Sequence, residues 1–125
     1  MKTKRILIID DEPSITRTVK VNLERTGAYA VRAENHSDRA LATARQFQPD
    51  LIFLDVMMPE MDGGAVAEQF HAGPDMKKVP LIFLTAIVTR QETGVHGANI
   101  GGQTFIPKPL NLSSLTKCIE EHTAA

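Results

Sequence analysis

The 125-residue chain carries 14 Lys and Arg against 15 Asp and Glu, a formal net charge of −1, and 42% of its residues are hydrophobic. That size and composition fit one globular domain, residues 1–125, and the charge argues against a nucleic-acid-binding surface, which is usually basic. A single cysteine, Cys118, excludes an intrachain disulfide framework and a thiolate metal cluster, and every apolar run is far shorter than the roughly 18 residues of a membrane span.

Apolar runs and helical periodicities alternate along the chain. A first strand, about Arg5–Ile9, has the unbroken hydrophobic character of a parallel strand buried on both faces. Pro13 suits the first turn of a helix, where its missing N–H costs nothing. Ile15, Val19 and Leu23 then recur every four residues until Gly27 ends that helix. Tyr29–Ala33 reads as a second strand. Ser37 is placed to cap a helix buried through Ala40, Leu41, Ala44 and Phe47, with Pro49 beyond its end. Asp50–Leu54 is a third strand, followed by the loop DVMMPEMDGG. Val66 and Phe70 mark a short helix ending near Gly73 and Pro74, and Val79–Leu84 is a fourth strand. Gln103–Ile106 forms a fifth. The last helix aligns Leu112, Leu115 and Ile119, with Cys118 beside them and Asn111 as its cap.

The segment between the fourth and fifth strands, TRQETGVHGANIGG, is poorly specified. Gly94 and Gly97 would each cost about 1 kcal/mol against alanine inside a helix. A short helix is expected from about Arg90 to Ala98, packed through Val95, with Gly101 or Gly102 turning the chain into the fifth strand. Strands alternating with helices predict a three-layer α/β sandwich built on a five-stranded parallel sheet, with right-handed crossovers and five helices.

Chemistry gathers where the strands end. Ligand sites in open α/β sheets lie beyond the carboxyl ends of the strands. If the first and third strands are neighbours, Asp10, Asp11 and Asp55 project into one small volume. Three carboxylates so close repel one another and favour a hard divalent cation with oxygen ligands. Thr85 follows the run LIFL, and Lys108 lies just beyond QTFI. Together these five residues form an inventory for phosphoryl transfer. Carboxylates hold a cation, one carboxylate attacks, and an ammonium and a hydroxyl meet the oxygens of the incoming group. The attacking carboxylate is already ionised and needs no base. The expected product is an aspartyl phosphate.

The DD pair at 10–11, the LDVMMPEMDG segment at 54–63, LTA at 84–86 and KP at 108–109 together resemble the response-regulator receiver domain of bacterial two-component signalling, the CheY-like family. The resemblance covers essentially the whole chain. It implies a flavodoxin-like fold with strand order 2-1-3-4-5. It makes Asp55 the phosphoacceptor and Asp11 a direct Mg²⁺ ligand (Mn²⁺ is a substitute), together with Asp55 and the backbone carbonyl of Met57, while Asp10 contributes through water. Lys108 would contact the phosphorylated carboxylate and the phosphoryl group, and Thr85 would follow the phosphate as switch hydroxyl. Pro109 matches a cis-proline position, and Pro59 and Gly63 match the loop after the phosphoacceptor. Met57 and Ile87 match the side chains that flank the approach of hydrolytic water.

Phe105 matches the family's switch aromatic. An aromatic in a short strand also packs, and the two readings are compatible if the ring moves between outward and inward rotamers. The resemblance further implies a histidine kinase or histidine phosphotransfer protein as donor. A downstream protein, or a fused output domain, would dock on the face made by the fourth helix, fifth strand and fifth helix. Gly101–Gly102 replaces the family's frequent Gly-Ala, and the charges of one DNA-binding subfamily's dimer on that face are not evident.

Other residues carry less. His36, His71, His96 and His122 are scattered over helices or their ends and read as surface residues, and Cys118 reads as a core thiol. The apolar run at Ile6–Ile9 is too short for an export segment, so a cytoplasmic location without membrane insertion is expected. Two alternatives to the switch remain open at this point. One is a HAD-like aspartyl-phosphate hydrolase, which would normally place an acid two residues after its nucleophile, where this chain has Met57. The other is a receiver-like module that docks without being phosphorylated.

Overall fold

The computed structural model describes residues 3–56, 63–85, 98–100, 103–108 and 110–123. The elements in chain order are β1 (Lys4–Ile9), α1 (Pro13–Arg25), β2 (Tyr29–Glu34), a 3₁₀ turn at Ser37–Arg39, α2 (Ala40–Phe47), β3 (Leu51–Asp55), α3 (Gly63–Ala72), β4 (Leu81–Thr85), β5 (Ala98–Ile100), β6 (Gln103–Pro107) and α4 (Leu112–Thr123). Among the described residues, no helix is long and apolar enough to cross a membrane.

The sheet has six strands in the order β2-β1-β3-β4-β6-β5. Five of them, β2-β1-β3-β4-β6, run parallel in the order that the resemblance implies. β1 and β3 are neighbours, with Ile9 opposite Leu54, so the residues after Ile9 and Leu54 leave the same end of the sheet. Alternate residues of each strand feed opposite layers. Ile6, Ile8, Leu51, Phe53, Ile82 and Leu84 pack beneath Val19 and Leu23 of α1 and Leu115, Cys118 and Ile119 of α4. Leu7, Ile9, Ile52, Leu54 and Phe83 meet Ala40, Ala44 and Phe47 of α2 and Val66 and Phe70 of α3. This two-sided burial is why the strands read as continuous apolar runs with no alternation.

Local signals place the helix ends. α1 opens with Pro13 after an extended Glu12 and gives way to Gly27 at φ 82°. α4 is capped by Asn111, whose Oδ1 accepts the Ser114 N–H at 2.8 Å. Ser37 departs from expectation. His36 occupies the position before the 3₁₀ turn, and Ser37 is buried within it, with no hydrogen bond to its Oγ among the described residues. The tighter turn satisfies the N–H groups that Ser37 would have capped with backbone carbonyls instead, the Arg39 N–H donating to His36 O at 3.1 Å and the Ala40 N–H to Ser37 O. α2 ends on Gln48, a left-handed residue at φ 55° whose N–H donates to Ala44 O at 2.7 Å. At Val31 the outer edge of β2 is covered by α1: Glu24 Oε2 accepts the Val31 N–H at 3.0 Å and Lys20 Nζ donates to Val31 O at 2.9 Å.

The segment before the fifth expected strand also differs. Ala98, expected to end a helix, begins β5, which pairs antiparallel with β6 through Ile100 and Gln103. Gly101 and Gly102, expected to turn the chain into the fifth strand, lie outside the described residues. The remainder of the expected helix, from Arg90 onward, lies outside the described residues.

Candidate functional site

The carboxyl end of the sheet builds the site. Asp10 is the first residue past β1, and its N–H extends the ladder by donating to Glu34 O at 3.1 Å. Its side chain folds over the turn into α1, where Oδ1 accepts the Glu12 N–H at 3.0 Å. Asp11, next along, is half-buried. Asp55 closes β3, opposite Leu84, and is buried. One carboxylate oxygen from each of Asp10, Asp11 and Asp55 lies within 4.8 Å of the others.

Lys108 enters from the far side of β4. Its Nζ lies 2.9 Å from Asp10 Oδ2 and donates to Asp55 Oδ1 at 3.2 Å. Burial by itself lowers the pKa of this ammonium. The contact and charge of Asp10, then of Asp55, outweigh burial and hold the pKa above the usual lysine value. The backbone N–H of Lys108 donates to Thr85 O at 2.9 Å, so the lysine and the last residue of β4 are tied. Thr85 is buried, opposite Pro107.

The fit of a cation follows from these atoms. Asp10 Oδ2 is buried and receives no hydrogen bond among the described residues, where its contact is the ion pair with Lys108 at 2.9 Å. Among the described residues three carboxylates meet one ammonium, so negative charge remains uncompensated within a mostly buried cluster. All-oxygen donors of this kind suit a small hard ion. The cluster of Asp10, Asp11 and Asp55 is positioned to coordinate a divalent cation, Mg²⁺ or Mn²⁺.

Residues 6–120 match the family described as response regulator receiver domain. The chain belongs to that family. Among curated relatives, this receiver is 36% identical over 111 residues to the DNA-binding dual master transcriptional regulator RpaA of Synechocystis sp., covering 89% of this chain and 45% of that protein. It is 34% identical over 116 residues to Protein PilH of Pseudomonas aeruginosa, covering 92% of this chain and 93% of that protein. The chemotaxis response regulator CheY4 of Vibrio cholerae superposes with a TM-score of 0.79 at 27% identity, covering 97% of this chain and 99% of that one. The receiver thus spans under half the length of several curated relatives, RpaA among them.

All five polar residues named from the sequence, Asp10, Asp11, Asp55, Thr85 and Lys108, stand at the same end of the sheet. Phe105 is half-buried and stacked on Phe83, with ring centroids 5.3 Å apart and planes at 24°. Gly63 begins α3. Met57, Pro59, Ile87 and Pro109 lie outside the described residues. His36, His71 and His122 are exposed, while His96 lies outside the described residues. Cys118 is buried, and burial first, with the charge of Glu121 second, pushes its thiol up to about 12, so it is no nucleophile at neutral pH.

Sequence reasoning missed Asn35 and Thr16. Asn35 Nδ2 donates to Asp10 O at 2.8 Å and to Thr16 Oγ1 at 3.0 Å. An asparagine after a strand reads as a turn former, and no periodicity marks it as a partner of the acidic pair.

Proposed function

We propose that this receiver, residues 1–125, is a phosphorylation-controlled switch in which Asp55 accepts a phosphoryl group from a phosphohistidine donor. The observation that carries this reading is the bridge made by Lys108 between Asp10 and Asp55, beside a third carboxylate at Asp11. An Asp55 carboxylate oxygen attacks phosphorus, the P–N bond of the donor breaks, and the imidazole leaves with the bonding electrons. Lys108, already 3.2 Å from Asp55 Oδ1, stabilises charge on the transferring group. Bound Mg²⁺ supplies electrostatic stabilisation of the phosphoryl oxygens, and Asp11, Asp55 and the Met57 carbonyl would hold it directly. Asp10, with Oδ1 taken by the Glu12 N–H and Oδ2 against Lys108, contributes through water. In a separate step that ends the signal, water attacks phosphorus, the P–O bond to Asp55 breaks, the Asp55 carboxylate is restored and inorganic phosphate is released.

The switch reading extends from the tie between Lys108 N and Thr85 O. Once Asp55 is phosphorylated its remaining carbonyl oxygen no longer carries a carboxylate charge, and Lys108 turns to the phosphoryl oxygens. Thr85 follows toward the phosphate, and Phe105, one strand over and stacked on Phe83, changes rotamer in the space that opens. The ring has no hydroxyl to leave unpaired, so its inward state is cheap in desolvation. Pro109 would direct Lys108, and Pro59 and Gly63 would shape the loop after Asp55. A histidine kinase or histidine phosphotransfer protein is the donor in this reading. The output is a downstream protein or a fused domain that docks on the face containing β6 and α4, and the whole acts in the cytoplasm.

The hydrolase alternative gives way to family membership. The docking-only alternative is separated by experiment. The protein is incubated with acetyl phosphate and Mg²⁺, and its intact mass is measured. A gain of one phosphoryl group, abolished by Asp55→Asn and by EDTA, supports the switch. A mass that never changes means that the module docks without phosphorylation.

A further inference from the structure

We propose that Asn35 and Thr16 form a positioning pair for the cation site. They hold the peptide between Asp10 and Asp11 in the orientation from which both carboxylates serve one ion, Asp11 directly and Asp10 through water, and this inference rests on the reading that those carboxylates bind Mg²⁺. Asn35 is the first residue past β2 and is half-buried. Its amide donates to Asp10 O at 2.8 Å, while the Asp10 N–H donates to Glu34 O at 3.1 Å. Two consecutive residues at the end of β2 therefore grip the main chain of Asp10 at both its polar groups.

The carbonyl of Asp10 belongs to the same planar unit as the N–H of Asp11. Fixing that carbonyl sets the rotation of the shared plane, and with it the direction in which the Asp11 side chain leaves the backbone. Thr16 completes the device. It is buried, and its hydroxyl donates to Pro13 O at 3.2 Å, which leaves its oxygen to accept from Asn35 at 3.0 Å. The Asn35 amide is thereby anchored to the first turns of α1 and to the acidic turn together. At the side chain of Asp10, the Glu12 N–H fixes Oδ1 at 3.0 Å and leaves Oδ2 for the charges in the site. The turn is thus held at carbonyl and carboxylate alike, by groups that do not themselves touch the ion.

Isothermal titration of Mg²⁺ into the unphosphorylated protein tests this. The variants are Asn35→Leu, Thr16→Val and Thr16→Ser, with Val31→Ala in β2 as a destabilised control away from the site. Asn35→Leu, similar in shape but without donors, weakens Mg²⁺ binding by about tenfold, the lower end of what outer partners of metal ligands contribute. Thr16→Val weakens it less, and Thr16→Ser, which keeps the hydroxyl, binds as wild type does. Val31→Ala lowers Tm without changing Mg²⁺ affinity. Wild-type affinity in both Asn35→Leu and Thr16→Val overturns the positioning role. So does a loss in Val31→Ala equal to that in Asn35→Leu, since the effect would then be one of stability alone. A wild-type protein that fails to bind Mg²⁺ overturns the cation reading and this inference with it.

Discussion

Lys108 Nζ lies 3.2 Å from Asp55 Oδ1, although the strands that lead to them, β6 and β3, are separated by β4. The contact is possible because both side chains leave the sheet at its carboxyl end and close over the top of β4. Lys108 is also bound to that intervening strand through its N–H on Thr85 O. A change in charge on Asp55 is therefore felt by the lysine directly, and by Thr85 through one further hydrogen bond.

Replacing Lys108 exposes both of its roles. Lys108→Met leaves the buried carboxylates of Asp10 and Asp55 without their ammonium, so its Tm rises more steeply with added Mg²⁺ than that of wild type. The alkaline dependence follows from the raised pKa of the folded state. The ion-pair contribution is fully present below the unfolded lysine value of about 10.4 and is lost as pH rises through the folded value above it. Urea unfolding of wild type and Lys108→Met across that range isolates the difference. Equal alkaline slopes for the two proteins would remove the lysine from the stability account. Lys108→Met also accepts some phosphoryl group from acetyl phosphate without the full set of amide shifts around Phe105.

Asp11→Ala should abolish Mg²⁺ binding and phosphorylation together. Wild-type Mg²⁺ affinity is itself modest, since such a site retains waters and is not an all-protein cage. Phosphorylation of Asp11→Ala at the wild-type rate in EDTA is incompatible with the site described.

Tyr29 offers an independent titration, because it is the chain's single tyrosine and tryptophan is absent. Burial first, then the hydrogen bond to Glu120 Oε2 at 2.7 Å and that carboxylate's charge, raise its pKa to about 12. An unfolded tyrosine ionises at about 10, so this residue's contribution is complete below that pH and disappears as pH rises toward 12. The amount at stake is on the order of 2 kcal/mol. The tyrosinate absorbance of the native protein should titrate well above the value for the denatured chain. Glu120→Gln brings the midpoint down only in part, because burial is the larger cause. A native midpoint equal to the denatured one would contradict this packing.

The lifetime of the phosphorylated state is expected to depend on Met57 and Ile87. Water must approach phosphorus in line, opposite the Asp55 oxygen, and these two positions match the family residues that flank that path. Neither side chain can hydrogen-bond to water, and both can crowd it. Autodephosphorylation in saturating Mg²⁺ should accelerate in Met57→Asn and Ile87→Glu, most of all in the double variant. Unchanged or slower hydrolysis in the double variant defeats the proposal, provided that Mg²⁺ affinity is the same.

The sequence by itself determined the fold class, the parallel strands and the five polar residues at their ends. Each of those features is local. An unbroken apolar run marks a strand buried on both faces, as in LIFLD, and the residue after the run must leave at the sheet's edge. Asn111 and Pro13 were legible for the same reason, because a helix end answers to the residues within one turn of it. Tertiary structure decided what depends on partners distant in sequence. It turned Ser37 inward, made a strand of Ala98–Ile100 and stacked Phe105 on Phe83. It also carried Asn35, 25 residues from Asp10, onto the acidic turn. Asn35 in the chain is one more turn-forming residue. Its two hydrogen bonds exist only because β2 lies beside β1, and no local pattern encodes that juxtaposition.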